Sequence, residues 1–178
     1  DIEMPGMNGF EVVRQIRAEG GSAEAVAFDV TDAEGSLAAL TAVLEAGPVQ
    51  VLVNNAGIHD DAVFPGMRAA QWHRVIDVSL NGFFHVTQPL TLPMIRTRWG
   101  RIISISSVAA VAGNRGQVNY AAAKGALHSA SKALSMELAS RGITVNVVAP
   151  GIIASAMADA AFDAQAIAQL VPAKRAGT

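Results

Sequence analysis

The chain has 178 residues, of which 51% are hydrophobic, 16% are charged and only 5% are aromatic. This balance excludes a disordered chain and is typical of a compact domain whose core is built from aliphatic residues. A net charge of −2 argues against a nucleic-acid partner, and the absence of cysteine excludes disulfides and thiolate metal sites. No apolar run approaches the ~18 residues that a membrane span needs. We therefore expect one cytoplasmic domain over residues 1–178 that binds no membrane and no metal.

The predicted elements alternate between helices and strands along the chain. Hydrophobic spacing predicts five helices, at residues 10–19, from 31 or 32 to 46, from 69 or 70 toward 94, at 118–140 and at 157–171. Short runs rich in Val and Ile predict four strands, at 25–28, 49–53, 101–106 and 143–148. Pro89 and Pro93 predict breaks or kinks in the third helix, and residues 58–68 and 109–117 are predicted to be loops.

The strict alternation predicts an α/β fold with a doubly wound parallel sheet of the Rossmann type. In such sheets a ligand binds at the carboxyl ends of the strands. Polar or glycine-bearing clusters follow each of the four predicted strands, at Asp29–Val30, Asn54–Gly57, Ser106–Ser107 and Pro150–Gly151. The functional site is therefore expected at this edge of the sheet.

Tyr120 and Lys124 stand four residues apart at the start of the long predicted helix, so their side chains share one helical face. An ammonium beside a phenol favours the phenolate and lowers the tyrosine pKa from its usual value of ~10. A tyrosine tuned in this way can protonate a developing alkoxide near neutral pH. Ser107 ends the preceding strand and is placed to bind the same substrate oxygen. The alternative is a solvated surface pair, because this spacing often arises by chance.

Four motifs resemble the short-chain dehydrogenase/reductase family in both order and spacing. They are VLVNNAG at 51–57, RIISISSV at 101–108, GNRGQVNYAAAK at 113–124 and RGITVNVVAPG at 141–151, and the resemblance covers residues 12–178. Within the family the chain is most similar to β-ketoacyl-[acyl-carrier-protein] reductases. The resemblance implies an NAD(P)-dependent oxidoreductase of fatty acid biosynthesis that transfers a hydride to a carbonyl substrate, either a small molecule or a carrier-bound 3-oxoacyl thioester. NADP(H) is favoured over NAD(H).

The resemblance also implies roles for individual residues. Tyr120 would be the catalytic acid, Lys124 would bind the nicotinamide ribose and tune Tyr120, and Ser107 would position the carbonyl. Ser79 occupies the place of the usual fourth catalytic residue, an Asn, and is hypothesised to hold a water in a proton relay. Asn81 lies two residues further on and would point roughly 200° away on a helix. Further cofactor contacts are implied for Asp29, Val30, Asn55, Ala56, Gly57, Pro150, Gly151, Ile153 and Ser155.

The chain departs from the family at both ends. It contains no glycine-rich Thr-Gly-x3-Gly-x-Gly turn for the cofactor pyrophosphate, so we expect the first family strand to be absent and activity to be weak. We expect the last family strand to be absent as well, because the sequence stops at residues 175–178. Residues 1–17 instead resemble the segment around the phosphorylated Asp of response-regulator receiver domains, with Asp1 at that position and residues 1–11 atypical of the reductases. A truncated or chimeric non-catalytic scaffold and a receiver module therefore remain as alternative functions.

Two further groups of residues concern metal binding and oligomerisation. The four histidines show no metal-ligand spacing and are expected on the surface or at an interface, at His59, His73, His85 and His128. The alanine-rich face between Ala121 and Ala133 allows close approach of another element, either the sheet or a second subunit. Because the family is usually oligomeric, we expect a homo-oligomer.

Overall fold

The computed structural model describes residues 8–154 and 163–177. Three parallel strands form its sheet: β1 (Val51–Asn54), β2 (Gly100–Ile105) and β3 (Ile143–Val148), in the order β1-β2-β3. Val51 pairs with Arg101, and Gly100 pairs with Ile143. The predicted parallel sheet of a Rossmann-like α/β fold is confirmed, and all three strands end at the same edge.

Helices connect and cover these strands. Their bounds are Gly9–Ala18 (α1), Ala33–Glu45 (α2), Ala69–Ile76 (α3), Gly82–Thr97 (α4), Ala109–Ala112 (α5), Val118–Leu138 (α6) and Ala164–Leu170 (α7). Short 3-10 turns lie at Phe64–Gly66 and Ala139–Arg141. The Asp32 side chain caps α2 by accepting bonds from the backbone N–H groups of Glu34 and Gly35, which otherwise lack helical partners. None of the helices within the described ranges is long and apolar enough to cross a membrane.

The strand predicted at 25–28 is wrong, because this segment pairs with no strand in the described part of the chain. Val26 is 41% exposed there, and the neighbouring sheet edge is also open, since Val51 and Val53 on β1 are each 51% exposed. A β-strand needs a partner for its backbone N–H and C=O groups, and apolar composition alone does not supply one. The strand predicted at 49–53 begins two residues later than expected, at Val51.

Of the breaks or kinks predicted at Pro89 and Pro93, the breaks are wrong, since α4 continues through both residues. Leu90 and Met94, which follow the two prolines, are 2% and 0% exposed, and burial of such side chains contributes about 1.5–3 kcal/mol each. That gain offsets the backbone hydrogen bonds that the prolines remove. The helix is interrupted earlier, by a π-helical turn at Asp77–Asn81 between α3 and α4.

The hydrophobic core joins the sheet to its helices. Its buried members are Leu40, Leu52, Leu90, Met94, Ile102, Leu138 and Ile143. Helix α4 packs on β1 and β2, whereas α6 packs on β2 and β3 and also contacts α3 and the π-helical turn. Helix α6 therefore links the strand ends to the interrupted helix. Gly142 lies between the 3-10 turn that follows α6 and the start of β3. Its φ is +75°, and a side chain at this position would collide with the Arg98 carbonyl oxygen.

Candidate active site

The end of β2 meets the first turns of α6, and this junction brings the predicted catalytic residues together. Lys124 is only 3% exposed, and its Nζ donates a hydrogen bond of 2.8 Å to the carbonyl oxygen of Ile105, the last residue of β2. Two residues later, the Ser107 side chain lies close enough to Tyr120 to lower the pKa of the phenol. Ser107, Tyr120 and Lys124 therefore lie at one strand end, as the sequence predicted.

Burial sets the protonation behaviour of the pair. Burial raises the pKa of Tyr120, the side chain of Ser107 opposes this, and the negative charge of Asp61 adds to the rise. Burial also lowers the pKa of Lys124. The predicted lowering of the Tyr120 pKa by Lys124 is thus wrong, because desolvation of the phenolate outweighs other effects and Lys124 Nζ lies 5.9 Å from the ring centroid. Tyr120 consequently carries its proton at neutral pH.

Asn119 anchors the start of α6, and sequence analysis missed it. This side chain is fully buried, and its Nδ2 donates to the carbonyl oxygens of Asp60 at 2.9 Å and Gln71 at 3.2 Å. Its Oδ1 accepts a bond of 2.8 Å from the Tyr120 backbone N–H. Asn119 thereby fixes Tyr120 against the loop after β1 and against α3. The available signal was an amide residue directly before the tyrosine, in the first turn of the helix.

Ser79 approaches this group from the π-helical turn. It is 3% exposed, and its Oγ has no hydrogen-bond partner among the described residues. A Cβ placed on Gly57 would lie 3.7 Å from Ser79 Oγ and 2.7 Å from Lys124 Nζ, so the three residues adjoin. Asn81 is exposed and donates instead to Asp77 Oδ1 at 2.7 Å. The structure therefore places Ser79, and not Asn81, beside Lys124.

A cleft of about 210 Å³ opens next to Ser79 at the carboxyl end of β1. It is lined by Phe28, Val30, Val53, Asn54, Asn55, Ala56, Val78, Ser79, Gly82, Phe83, Val86 and Leu127. Asp29, predicted with Val30 to contact the cofactor, does not line the cleft. The Asp29 carboxylate accepts bonds from the N–H and hydroxyl of Thr31, and both bonds lower its pKa.

The segment after β3 passes close to Ser107. The Pro150 carbonyl oxygen accepts a bond of 2.8 Å from the N–H of Val108, the residue after Ser107. Further along, Ile153 forms a parallel bridge with Gly177, while Gly151 is exposed. Of the predicted cofactor contacts Pro150, Gly151 and Ile153, Pro150 is therefore the one that is hydrogen-bonded next to Ser107. Ser155 and Asp1 lie outside the described residues.

These surroundings fit parts of a dinucleotide. The cleft is smaller than the ~300–1,000 Å³ of typical ligand pockets, so it suits one portion of such a molecule. Gly57 leaves the space beside Lys124 free of side-chain atoms, and the unpartnered Ser79 hydroxyl points to a missing polar neighbour. Residues able to hold a nicotinamide cofactor are Val30, Asn55, Ala56, Gly57 and Lys124. Across residues 8–154 and 163–177, no three His, Asp or Glu side chains group as metal ligands.

A comparison with protein families decides the class of protein. The family model described as short chain dehydrogenase matches residues 7–166. The chain belongs to the short-chain dehydrogenase family. The resemblance predicted from its four motifs is thereby confirmed, and the family is one of oxidoreductases that use a nicotinamide cofactor.

Individual relatives within the short-chain dehydrogenase family narrow the likeness. The chain is 43% identical over 168 residues to the 3-oxoacyl-[acyl-carrier-protein] reductase FabG of Aggregatibacter actinomycetemcomitans, covering 93% of this chain and 69% of the relative. It is 51% identical over 132 residues to nodulation protein G of Rhizobium sp. (strain N33), covering 73% and 54%. It is 44% identical over 153 residues to the FabG reductase of Staphylococcus aureus (strain Mu50 / ATCC 700699), covering 85% and 62%. The chain thus spans between about half and two thirds of the length of these relatives.

Proposed function

We propose that this chain reduces the carbonyl group of a 3-oxoacyl thioester with NADPH as the hydride source. The observation that carries the proposal is the meeting of Ser107, Tyr120 and Lys124 where β2 ends and α6 begins. The similarity to two 3-oxoacyl-[acyl-carrier-protein] reductases supports the acyl substrate and a carrier protein as its partner.

Ser107 and Tyr120 act on the carbonyl oxygen of the substrate in different ways. A bound nicotinamide supplies the hydride that adds to the carbonyl carbon. The Ser107 hydroxyl donates a hydrogen bond to the carbonyl oxygen and holds it near Tyr120. Tyr120 then gives its phenolic proton to that oxygen as negative charge develops, and a phenolate remains. Because burial raises the pKa of Tyr120, the phenol is in the protonated form that a reduction requires.

Lys124 and Ser79 complete the proton path in this proposal. Lys124 Nζ lies 5.9 Å from the centroid of the Tyr120 ring, so its positive charge offsets only part of the cost of burying the phenolate that remains after proton transfer. It also has N–H groups beyond the one bonded to Ile105, which are available to a ribose hydroxyl. The Ser79 hydroxyl, which is buried without a partner, holds a water that returns a proton to Tyr120 by way of Lys124.

The second candidate function is a scaffold that folds without productive cofactor binding. It is favoured by the volume of the cleft at the end of β1, about 210 Å³, which is below the ~300–1,000 Å³ of typical ligand pockets.

The test measures NADPH and NADH binding by nicotinamide fluorescence, together with turnover of a 3-oxoacyl thioester. We expect saturable binding that favours NADPH, and turnover that Tyr120→Phe abolishes while binding remains. A chain that folds but binds neither dinucleotide would establish the scaffold. Labelling at Asp1 by acetyl phosphate would instead support a receiver module.

We also propose that the chain works as a cytoplasmic homo-oligomer. One face of α6 is occupied by packing within the chain, since Ala123 and Leu127 are 0% and 2% exposed. Elsewhere along the helix Met136 is 83% exposed and Ala122 and Ala133 are also exposed, which leaves apolar surface for a second subunit. Light scattering coupled to size-exclusion chromatography would measure the mass, and a monomer at all concentrations would contradict this expectation.

A further inference from the structure

We infer that His128 is a positioning residue, which holds the end of β2 against α6 through the hydroxyl of Ser106. The inference rests on the proposed roles of Ser107, Tyr120 and Lys124. His128 Nε2 lies 2.7 Å from Ser106 Oγ, and Ser106 Oγ lies 2.9 Å from the Lys124 carbonyl oxygen. Ser106 is 4% exposed, so these are the bonds on which its hydroxyl depends.

The direction of both hydrogen bonds follows from the number of protons. A serine hydroxyl has one proton to donate, and the Lys124 carbonyl oxygen can only accept. Ser106 therefore donates to Lys124, and His128 donates its Nε2–H to Ser106. His128 thus carries a proton on Nε2, and a chain of donors runs from His128 through Ser106 to the backbone of Lys124.

This series of hydrogen bonds lies on the same face of α6 as Tyr120 and Lys124. Tyr120, Lys124 and His128 follow one another at intervals of four residues, which places their side chains in one row along the helix. Opposite this row, two consecutive residues at the end of β2 form hydrogen bonds with Lys124. Ile105 accepts from Lys124 Nζ, and Ser106 donates to the Lys124 carbonyl.

Ser107 connects this contact to the reacting atoms. It follows Ser106 directly, and its side chain lowers the pKa of Tyr120 against the effect of burial. If the Ser106 hydroxyl loses the His128 donor, the strand end is held less firmly and Ser107 moves away from Tyr120. Small displacements of this kind reduce catalysis strongly, because the reacting groups must be closely aligned. A histidine that only stabilised the fold would leave the effect of Ser107 on the pKa of Tyr120 unchanged.

The experiment compares four variants with the unaltered chain. His128→Leu removes the Nε2–H donor, whereas His128→Gln keeps an N–H group near the same position. Ser106→Ala removes the hydroxyl that joins His128 to Lys124. The fourth variant combines His128→Leu with Ser106→Ala. His73→Leu, on the exposed part of α3, is the control for loss of a histidine. Tyr120 is the chain's one tyrosine, so the ultraviolet absorbance of phenolate reports its titration alone.

We expect His128→Leu and Ser106→Ala to move the Tyr120 midpoint to higher pH and to lower kcat about tenfold while KM stays nearly constant. His128→Gln should restore both properties. The double variant should be no worse than either single variant, because both act through one contact. An unmoved Tyr120 midpoint in folded variants, or additive losses in the double variant, would overturn the inference.

The two proposals fail in different ways. Absence of turnover in the unaltered chain would contradict the reductase, whereas the Tyr120 titration would still decide the role of His128, because it needs neither cofactor nor substrate. If His128→Leu does not fold, Ser106→Ala and His128→Gln decide the outcome by the same measurements.

Discussion

Gly57 lies so close to Lys124 that a Cβ at residue 57 would stand 2.7 Å from the lysine Nζ. The obstructing atom is the end of a flexible side chain, so Gly57→Ala displaces the ammonium and leaves the backbone in place. We expect kcat/KM to fall at least tenfold, while the free energy of unfolding changes by less than about 1 kcal/mol. Steady-state kinetics and denaturant unfolding would measure the two effects. Gly66→Ala is the matched control, since the nearest atom to its Cβ is Val63 Cγ2 at 4.0 Å.

Ser79→Ala separates a relay from a structural role. The Ser79 hydroxyl is buried without a partner, so its removal should leave stability unchanged or raise it by about 1 kcal/mol. Turnover should nevertheless decrease severalfold, because the proposed water loses its donor and acceptor. Ser131→Ala is the control, since Ser131 is 2% exposed and its Oγ is likewise unpartnered. Equal turnover in both variants would argue against a relay through Ser79.

Lys124→Met tests the effect of burial on the ammonium. Burial lowers the pKa of Lys124 from its ordinary 10.5, so between the lowered pKa and 10.5 the folded chain binds fewer protons than the unfolded chain. The stability contributed by Lys124 therefore rises with pH in that window. We expect the free energy of unfolding of the unaltered chain to increase relative to Lys124→Met as the pH approaches 10.5.

Below pH 10 Tyr120 keeps its proton in both folded proteins, because burial raises its pKa from 10.0, so the comparison is made in that range. Denaturant unfolding at a series of pH values supplies the measurement, and Lys132→Met, exposed on the same helix, controls for loss of a lysine charge. A difference between the two proteins that stays constant with pH would contradict the prediction.

Asp61→Asn should make Tyr120 more acidic. The Asp61 carboxylate raises the pKa of Tyr120 by repelling the phenolate, and the amide removes that charge at similar size. We expect the phenol titration, followed by ultraviolet absorbance, to shift to lower pH. Because Asp61 is 45% exposed at its side chain, added salt should reduce the shift. Asp77→Asn, which alters a pair with Asn81, should leave the titration in place.

Local patterns in the sequence predicted much of this structure, and contacts between distant residues account for what they missed. Helix α6 and strands β2 and β3 appear within a few residues of their predicted bounds, because their hydrophobic periodicity agrees with their packing. Residues 25–28 have an equally apolar pattern but pair with no strand within the described part of the chain. At Pro89, the packing of the adjacent Leu90 outweighs the low helix propensity of proline.

The candidate site shows the same division. The spacing of Tyr120 and Lys124 placed them on one face, and the strand end placed Ser107 beside them. The rise of the Tyr120 pKa was not predictable, because it depends on how much water the fold excludes from the phenol. Asn119 was missed for a similar reason, since its partners at Asp60 and Gln71 are 59 and 48 residues away in the chain.

The hydrogen bonds of Lys124 and His128 with the end of β2 fall within residues 105–128, a single strand end and the helix that follows it. Contacts so near in sequence cost little chain entropy to form and assemble early in folding. The Asn119 bonds to Asp60 and Gln71 span 59 and 48 residues, so Tyr120 reaches its final position only after the loop behind β1 and helix α3 have packed on α6.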